Sequence, residues 1–140
     1  MNGIPIRVML ALASIGAGVI HFWVTPDHFE EFALFGVFFL LLGVFQVVWA
    51  GAALLKPNAA VLLAGVTASA AVIATWTVSR TAGLPIGPEA GEAEPLGLLD
   101  VLATTLEGLI VLTGTFLLVH RGQVQGPVEV LPADHERRAA

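Results

Sequence analysis

Asp100 and Glu107 stand seven residues apart inside an apolar stretch, a spacing that puts both carboxyl groups on one face of a helix. An ionisable group is expensive to hold in such surroundings, so each marks a candidate site. Gly97, Thr104, Val111, Gly114 and Thr115 extend the same face, which is small and polar except at Val111. His21 closes an earlier apolar stretch and shares a helical face with Ser14, Ala17 and Gly18, small residues that let another helix come close. Arg80 ends a third stretch at the level of Asp100 and is long enough to reach Asp100 or Glu107. His21, Arg80, Asp100, Thr104 and Glu107 therefore form a candidate pocket.

Three chemistries fit these residue types. Imidazole and carboxylates suit a divalent metal such as zinc, iron, manganese or copper, with His21, Asp100 and Glu107 as ligands. The same groups could relay protons, or hydrogen-bond the carbonyls of a quinone-like molecule arriving from lipid. In the structural alternative Arg80 neutralises Asp100, while His21 bonds Glu107 or a threonine and merely fixes helix register. No spacing matches an established metal-ligand motif, and Pro26 separates His21 from His28. There is no haem motif, because His120 belongs at the opposite end of the helices from His21. The run 87–92 is no nucleotide loop, lacking the lysine and hydroxyl that hold phosphate.

The elements that must position these residues are apolar and long. Of the 140 residues 56% are hydrophobic and only 12% charged, and the mean hydropathy is +0.87. A soluble domain carries about 25% charged residues, so half of that cannot cover a water-facing surface. Four stretches, 6–24, 32–55, 59–78 and 96–119, approach the roughly 20 residues a helix needs to cross a bilayer. The expected fold is an all-α integral membrane four-helix bundle over 1–121, with a polar tail, expected to be disordered, over 122–140. The first stretch lacks a small-x-small cleavage site and reads as a retained span rather than a signal peptide. The absence of cysteine excludes thiol redox chemistry and Cys-ligated metal, and the net charge of −5 argues against a nucleic-acid partner.

The connections carry their own signals. Thr25-Pro26-Asp27-His28 reads as the start of a new helix, with a hydroxyl cap and proline in the first turn. It predicts a short interfacial helix over 26–31 or an extension of the second span. Lys56-Pro57-Asn58 is a tight link, and 82–95 is the long one. Gln46, with Gly43 and Ala50, reads as an interhelical hydrogen bond at a close crossing. The alanine-rich third span reads as the packed centre of the bundle, and the phenylalanines of the second as facing lipid or another helix. His28 reads as part of a solvated helix start and His120 as an interfacial cap.

Basic residues set the expected orientation. Arg7, Lys56, Arg121, Arg137 and Arg138 fall on one side of a four-span arrangement and only Arg80 on the other, so both termini are expected in the cytoplasm. Trp23 and Trp76 fall near the outer interface and Trp49 near the inner one, where indoles anchor spans.

The segment Ala17-Gly18-Val19-Ile20-His21-Phe22, followed by Pro26 and Phe29, resembles the pattern of DoxX-like membrane proteins. That resemblance implies a compact four-helix membrane bundle in a superfamily some of whose members are small subunits in quinone-linked redox chemistry. The Asp100 and Glu107 pair and the 83–95 loop have no counterpart in the pattern. The expected role is an accessory subunit of a larger assembly in the plasma membrane, working with other membrane subunits or with further copies of itself. The alternative is a protein that binds a quinone, a metal ion or a proton in an outward-facing polar pocket.

Overall fold

A computed structural model of the chain describes residues 4–124, with side chains up to residue 120. The polar tail expected from residue 122 lies outside the described residues beyond Val124, as do Arg137 and Arg138. The described chain is all-helical: α1 (Ile4–Glu31), α2 (Ala33–Leu55), α3 (Ala59–Thr81) and α4 (Leu98–Val124). All four are long and apolar enough to cross a membrane. Each helix packs against its neighbours around a ring, α1 on α2 and α4, and α3 on α4, while α2 and α3 touch only sparsely. That uneven closure decides where the interior space lies.

Pro26 does not start a new helix. The α1 helix runs through it to Glu31. A proline inside a helix removes one N–H and crowds the carbonyl four residues back. Side chains on either side of it bond back to the helix: Thr25 Oγ1 donates to the His21 carbonyl at 2.7 Å, and His28 Nδ1 to the Val24 carbonyl at 2.8 Å. The hydroxyl expected to cap a second helix thus turns back into the first. The break comes at Phe32, whose extended backbone (φ −157°, ψ 118°) separates α1 from α2 by a single residue. At the next turn Asn58 caps α3, its side chain accepting from the Val61 N–H at 2.9 Å.

Two interior expectations reverse. The third span is not the packed centre: 44% of the α1 span is buried against 17% of α3, and Ala64 and Ala71 are exposed. With few contacts to α2, the alanine face of α3 has nothing to pack on. Trp49 is not an interfacial anchor either. It is only 5% exposed, sits over Gly65, and donates from Nε1 to the Val61 carbonyl at 2.7 Å. This indole joins α2 to α3 at the end of the bundle where α1 begins and α4 ends. It belongs to an apolar plug with Leu10, Ala13, Ala53, Leu62 and Ile110.

At the opposite end α3 turns out through Gly83, whose φ of +74° favours glycine. A β-carbon there would also fall 2.4 Å from the Glu92 nitrogen, because the connecting loop returns directly over this point. The loop is tied by Gly91 N–H to the Leu84 carbonyl (2.8 Å) and by Glu94 N–H to the Ser79 carbonyl (3.0 Å). We call this the loop end.

Candidate functional site

With α2 and α3 joined by Trp49 at one end and apart at the other, the loop end encloses a cavity of about 400 Å³. That lies within the roughly 300–1,000 Å³ of small-molecule sites. All four helices and the loop line it. Phe35, Phe38 and Phe39 of α2 form one wall, and Val72 and Trp76 of α3 face them. Leu84, Pro85 and Ile86 cross its mouth. His21, Arg80, Asp100 and Thr104, four of the five residues singled out in the sequence, line it as well. The fifth, Glu107, is fully buried beneath.

The polar groups sort into two sets, and the first clasps the mouth. Arg80, at the last turn of α3, donates through Nη1 to Glu94 of the loop and through Nη2 to Asp100 of α4 at 2.7 Å. Its side chain is 12% exposed, against 32% for each acid, so the pairing is partly shielded from water. Asp100 Oδ2 also accepts the Gly97 N–H at 3.0 Å, which places a carboxylate on the free donors of the first α4 turn. One guanidinium thus joins two helices and the loop. Burial alone would raise the Glu94 carboxyl, but the hydrogen bond from Arg80, helped by Ser79 and the nearby positive charge, holds it below the usual carboxylate range.

The second set lies at the cavity floor. His21 is 3% exposed and turns Nδ1 to Gln46 Oε1 at 2.8 Å. Gln46 Nε2 donates in turn to Glu107 Oε1. The Ser14 hydroxyl bonds the Gln46 carbonyl at 2.8 Å, fixing the backbone from which the amide projects. Glu107 Oε2 takes no hydrogen bond from the protein, although Ser69 of α3 stands beside the carboxyl. Below this row begins the apolar plug around Leu62 and Ile110. The polar chain His21–Gln46–Glu107 therefore opens to the cavity and stops at the plug.

The alternatives left open by residue spacing separate cleanly on this geometry. Arg80 pairs with Asp100 rather than Glu107. His21 reaches Glu107 only through Gln46, which the sequence marks as an interhelical bond but not as the link between these two. The metal set His21, Asp100 and Glu107 is not brought together, since Asp100 belongs to the clasp and Glu107 to the floor. Among the described residues no group of three His, Cys, Asp or Glu side chains is placed to hold a metal ion. On α4 the buried stripe is Ala103, Glu107, Ile110 and Gly114, and Thr115 is exposed.

Several lining residues escape the sequence reading. Phe35, Phe38 and Phe39 share a face by spacing, yet nothing local says that this face meets a void. His28 is half-buried, its ring 4.0 Å from that of Phe39, rather than solvated. Trp76 turns inward, and its Nε1 is buried without a partner. His120 bonds the Phe116 carbonyl at 2.9 Å on the outside of α4. Comparison with known proteins found no matching family model, curated protein or solved structure.

Proposed function

We propose that this chain is a four-span plasma-membrane protein whose loop-end cavity binds a small, mostly apolar molecule with hydrogen-bonding polar atoms, of the quinone-like class. The observation that carries this reading is the cavity itself: an aromatic enclosure of about 400 Å³ with His21 at its floor and the Arg80 clasp at its rim. Such a site suits a flat ring between Phe39 and Trp76, with one polar atom against the imidazole. The sparse α2–α3 contact supports access from lipid, between exposed Leu34 and Phe38 on one side and Thr75 on the other. In this reading the exposed leucines, valines and phenylalanines outside the bundle meet lipid, and the acidic loop end faces outward with both termini in the cytoplasm. The resemblance to DoxX-like proteins around His21 points the same way. The accessory-subunit role is compatible with this site as its setting, but no surface among the described residues singles out a partner.

The test is direct. Ala103 lines the cavity and is buried on α4, so A103F fills space without altering a polar group. A short-chain benzoquinone titrated into the protein in nanodiscs should quench Trp76, and A103F should weaken binding at least about tenfold, or ~1.4 kcal/mol. Equal binding by both proteins would remove the cavity from the account.

A further inference from the structure

The polar chain on the cavity floor has a direction. As it stands, His21 Nδ1–H donates to Gln46 Oε1, and Gln46 Nε2–H donates to Glu107 Oε1. That pattern requires Glu107 to accept, and it leaves His21 Nε2 as a bare acceptor toward the cavity. Nε2 has no protein partner among the described residues. A carboxylic acid at Glu107 could go on accepting through Oε1 only with its O–H on Oε2, where that donor would be buried without a hydrogen-bond partner; with the proton on Oε1 it donates instead. Rotating the Gln46 amide by half a turn then restores every bond: Glu107 O–H donates to Gln46 Oε1, and Gln46 Nε2–H donates to His21 Nδ1. The imidazole proton now sits on Nε2 and points into the cavity.

We propose that Glu107, acting through Gln46, decides whether His21 offers the cavity a hydrogen-bond acceptor or a donor. The proton balance is one. A single proton enters and resides on Glu107, Gln46 is unchanged apart from its rotation, and the proton of neutral His21 moves from Nδ1 to Nε2. Gln46 and Glu107 are positioning residues here, since of the three only His21 lines the cavity. A ligand carbonyl matches the protonated arrangement and a ligand hydroxyl the ionised one, so ligand polarity and proton uptake are linked reciprocally. The floor is closed by the Leu62 and Ile110 plug, so this proton exchanges with the cavity and is not passed across the bundle.

The surroundings suit a switch governed by Glu107. The polar side chains facing Glu107 are Gln46 of α2 and Ser69 of α3, neither of which titrates. His21 is faced by His28 on its own helix and by the ring of Phe39 on α2. Higher in the cavity stand Glu31 at the rim of α1, Arg80 of α3, Glu94 of the loop and Asp100 of α4. Arg80 is committed to its two acids, and His28 Nδ1 is committed to the Val24 carbonyl.

The switch needs no ligand, so its test is separable from the ligand reading on which its consequence rests. Nitrogen NMR of the full chain with isotope-labelled histidine, in nanodiscs, distinguishes the two neutral tautomers from imidazolium. Across about pH 4–9, His21 should pass from the Nδ1–H to the Nε2–H tautomer as pH falls. In E107Q the tautomer ratio should be flat with pH. A His21 that keeps Nδ1–H throughout, or that goes straight to imidazolium, overturns the proposal. So does an E107Q protein that still switches. Benzophenone, which can only accept, should then lose about tenfold in affinity per pH unit above the switch, while its alcohol should not. If the tautomer switches but neither probe binds, the ligand reading fails and the switch stands.

Discussion

Adding one methyl group at Gly65 should disrupt the joint that holds α2 and α3 together at the closed end. A β-carbon there would lie 2.1 Å from Trp49 Cζ2, 2.2 Å from Cε2 and 2.8 Å from Nε1. The rigid indole is almost fully buried and cannot swing aside as a flexible chain could. Either α3 shifts outward or Trp49 leaves the Val61 carbonyl. Overpacking of this kind costs about 1–3 kcal/mol, and the lost hydrogen bond about 1 kcal/mol. Replacing glycine by alanine in a helix returns about 1 kcal/mol of propensity, so the net loss in G65A is about 1–3 kcal/mol. Gly51 supplies the control, because a β-carbon there meets nothing within 4 Å. G51A takes the same propensity gain with no clash, and the difference between the two variants should be about 2–4 kcal/mol. Reversible unfolding in mixed micelles reads the difference, and a red shift of Trp49 emission reports displacement of the indole. A G65A protein within about 0.5 kcal/mol of G51A would refute the packing argument, since the cost of overpacking the indole would then be absent.

Other consequences are as readily checked. The chain has no cysteine, so E92C introduces a single thiol in the loop. A membrane-impermeant maleimide should label it on intact cells if the loop end faces outward, and labelling only after lysis would reverse the orientation. Glu94 is held below its ordinary value of 4.5, so its share of stability is complete above that pH and is lost as pH falls through the lower folded value. Hydrogen exchange at the Glu94 amide, which bonds the Ser79 carbonyl, should accelerate in that acid range in the native chain and lose this pH dependence in E94Q. Q46L strips Glu107 of its amide donor in a sealed site and should cost about 1–3 kcal/mol; unchanged unfolding would mean the amide carries no weight.

Much of the helical framework is legible from hydropathy, because a bilayer-length apolar run leaves few other readings. The closeness of Arg80 to the level of Asp100 is also legible, but helix position leaves both Asp100 and Glu107 open as its partner, and only the packed side chains choose Asp100. What composition hides is which face meets which. The small residues of α3 suggest close packing, yet α3 is the least buried of the four spans, because the Trp49 side chain fills the tight approach to α2. Phenylalanines at 35, 38 and 39 look the same whether they face lipid, a helix or a void. Pro26 misleads for a further reason: hydroxyl and imidazole groups bonding back to carbonyls four residues earlier leave no sequence mark that distinguishes them from a cap. Gln46 is legible as a buried hydrogen bonder, but its two partners lie on other helices, 25 and 61 residues away in the chain.

Ligand binding in the space under the Arg80 clasp is the central claim. Trp76 is the tryptophan on its wall, which makes its fluorescence the most direct reporter. Titration of a short-chain benzoquinone into the nanodisc-embedded protein should quench emission saturably in the native chain. The saturable component should vanish in W76F and move to at least about tenfold higher concentration in A103F. Quenching that rises without saturation, or that is indifferent to both substitutions, would contradict the claim that this cavity takes a ligand.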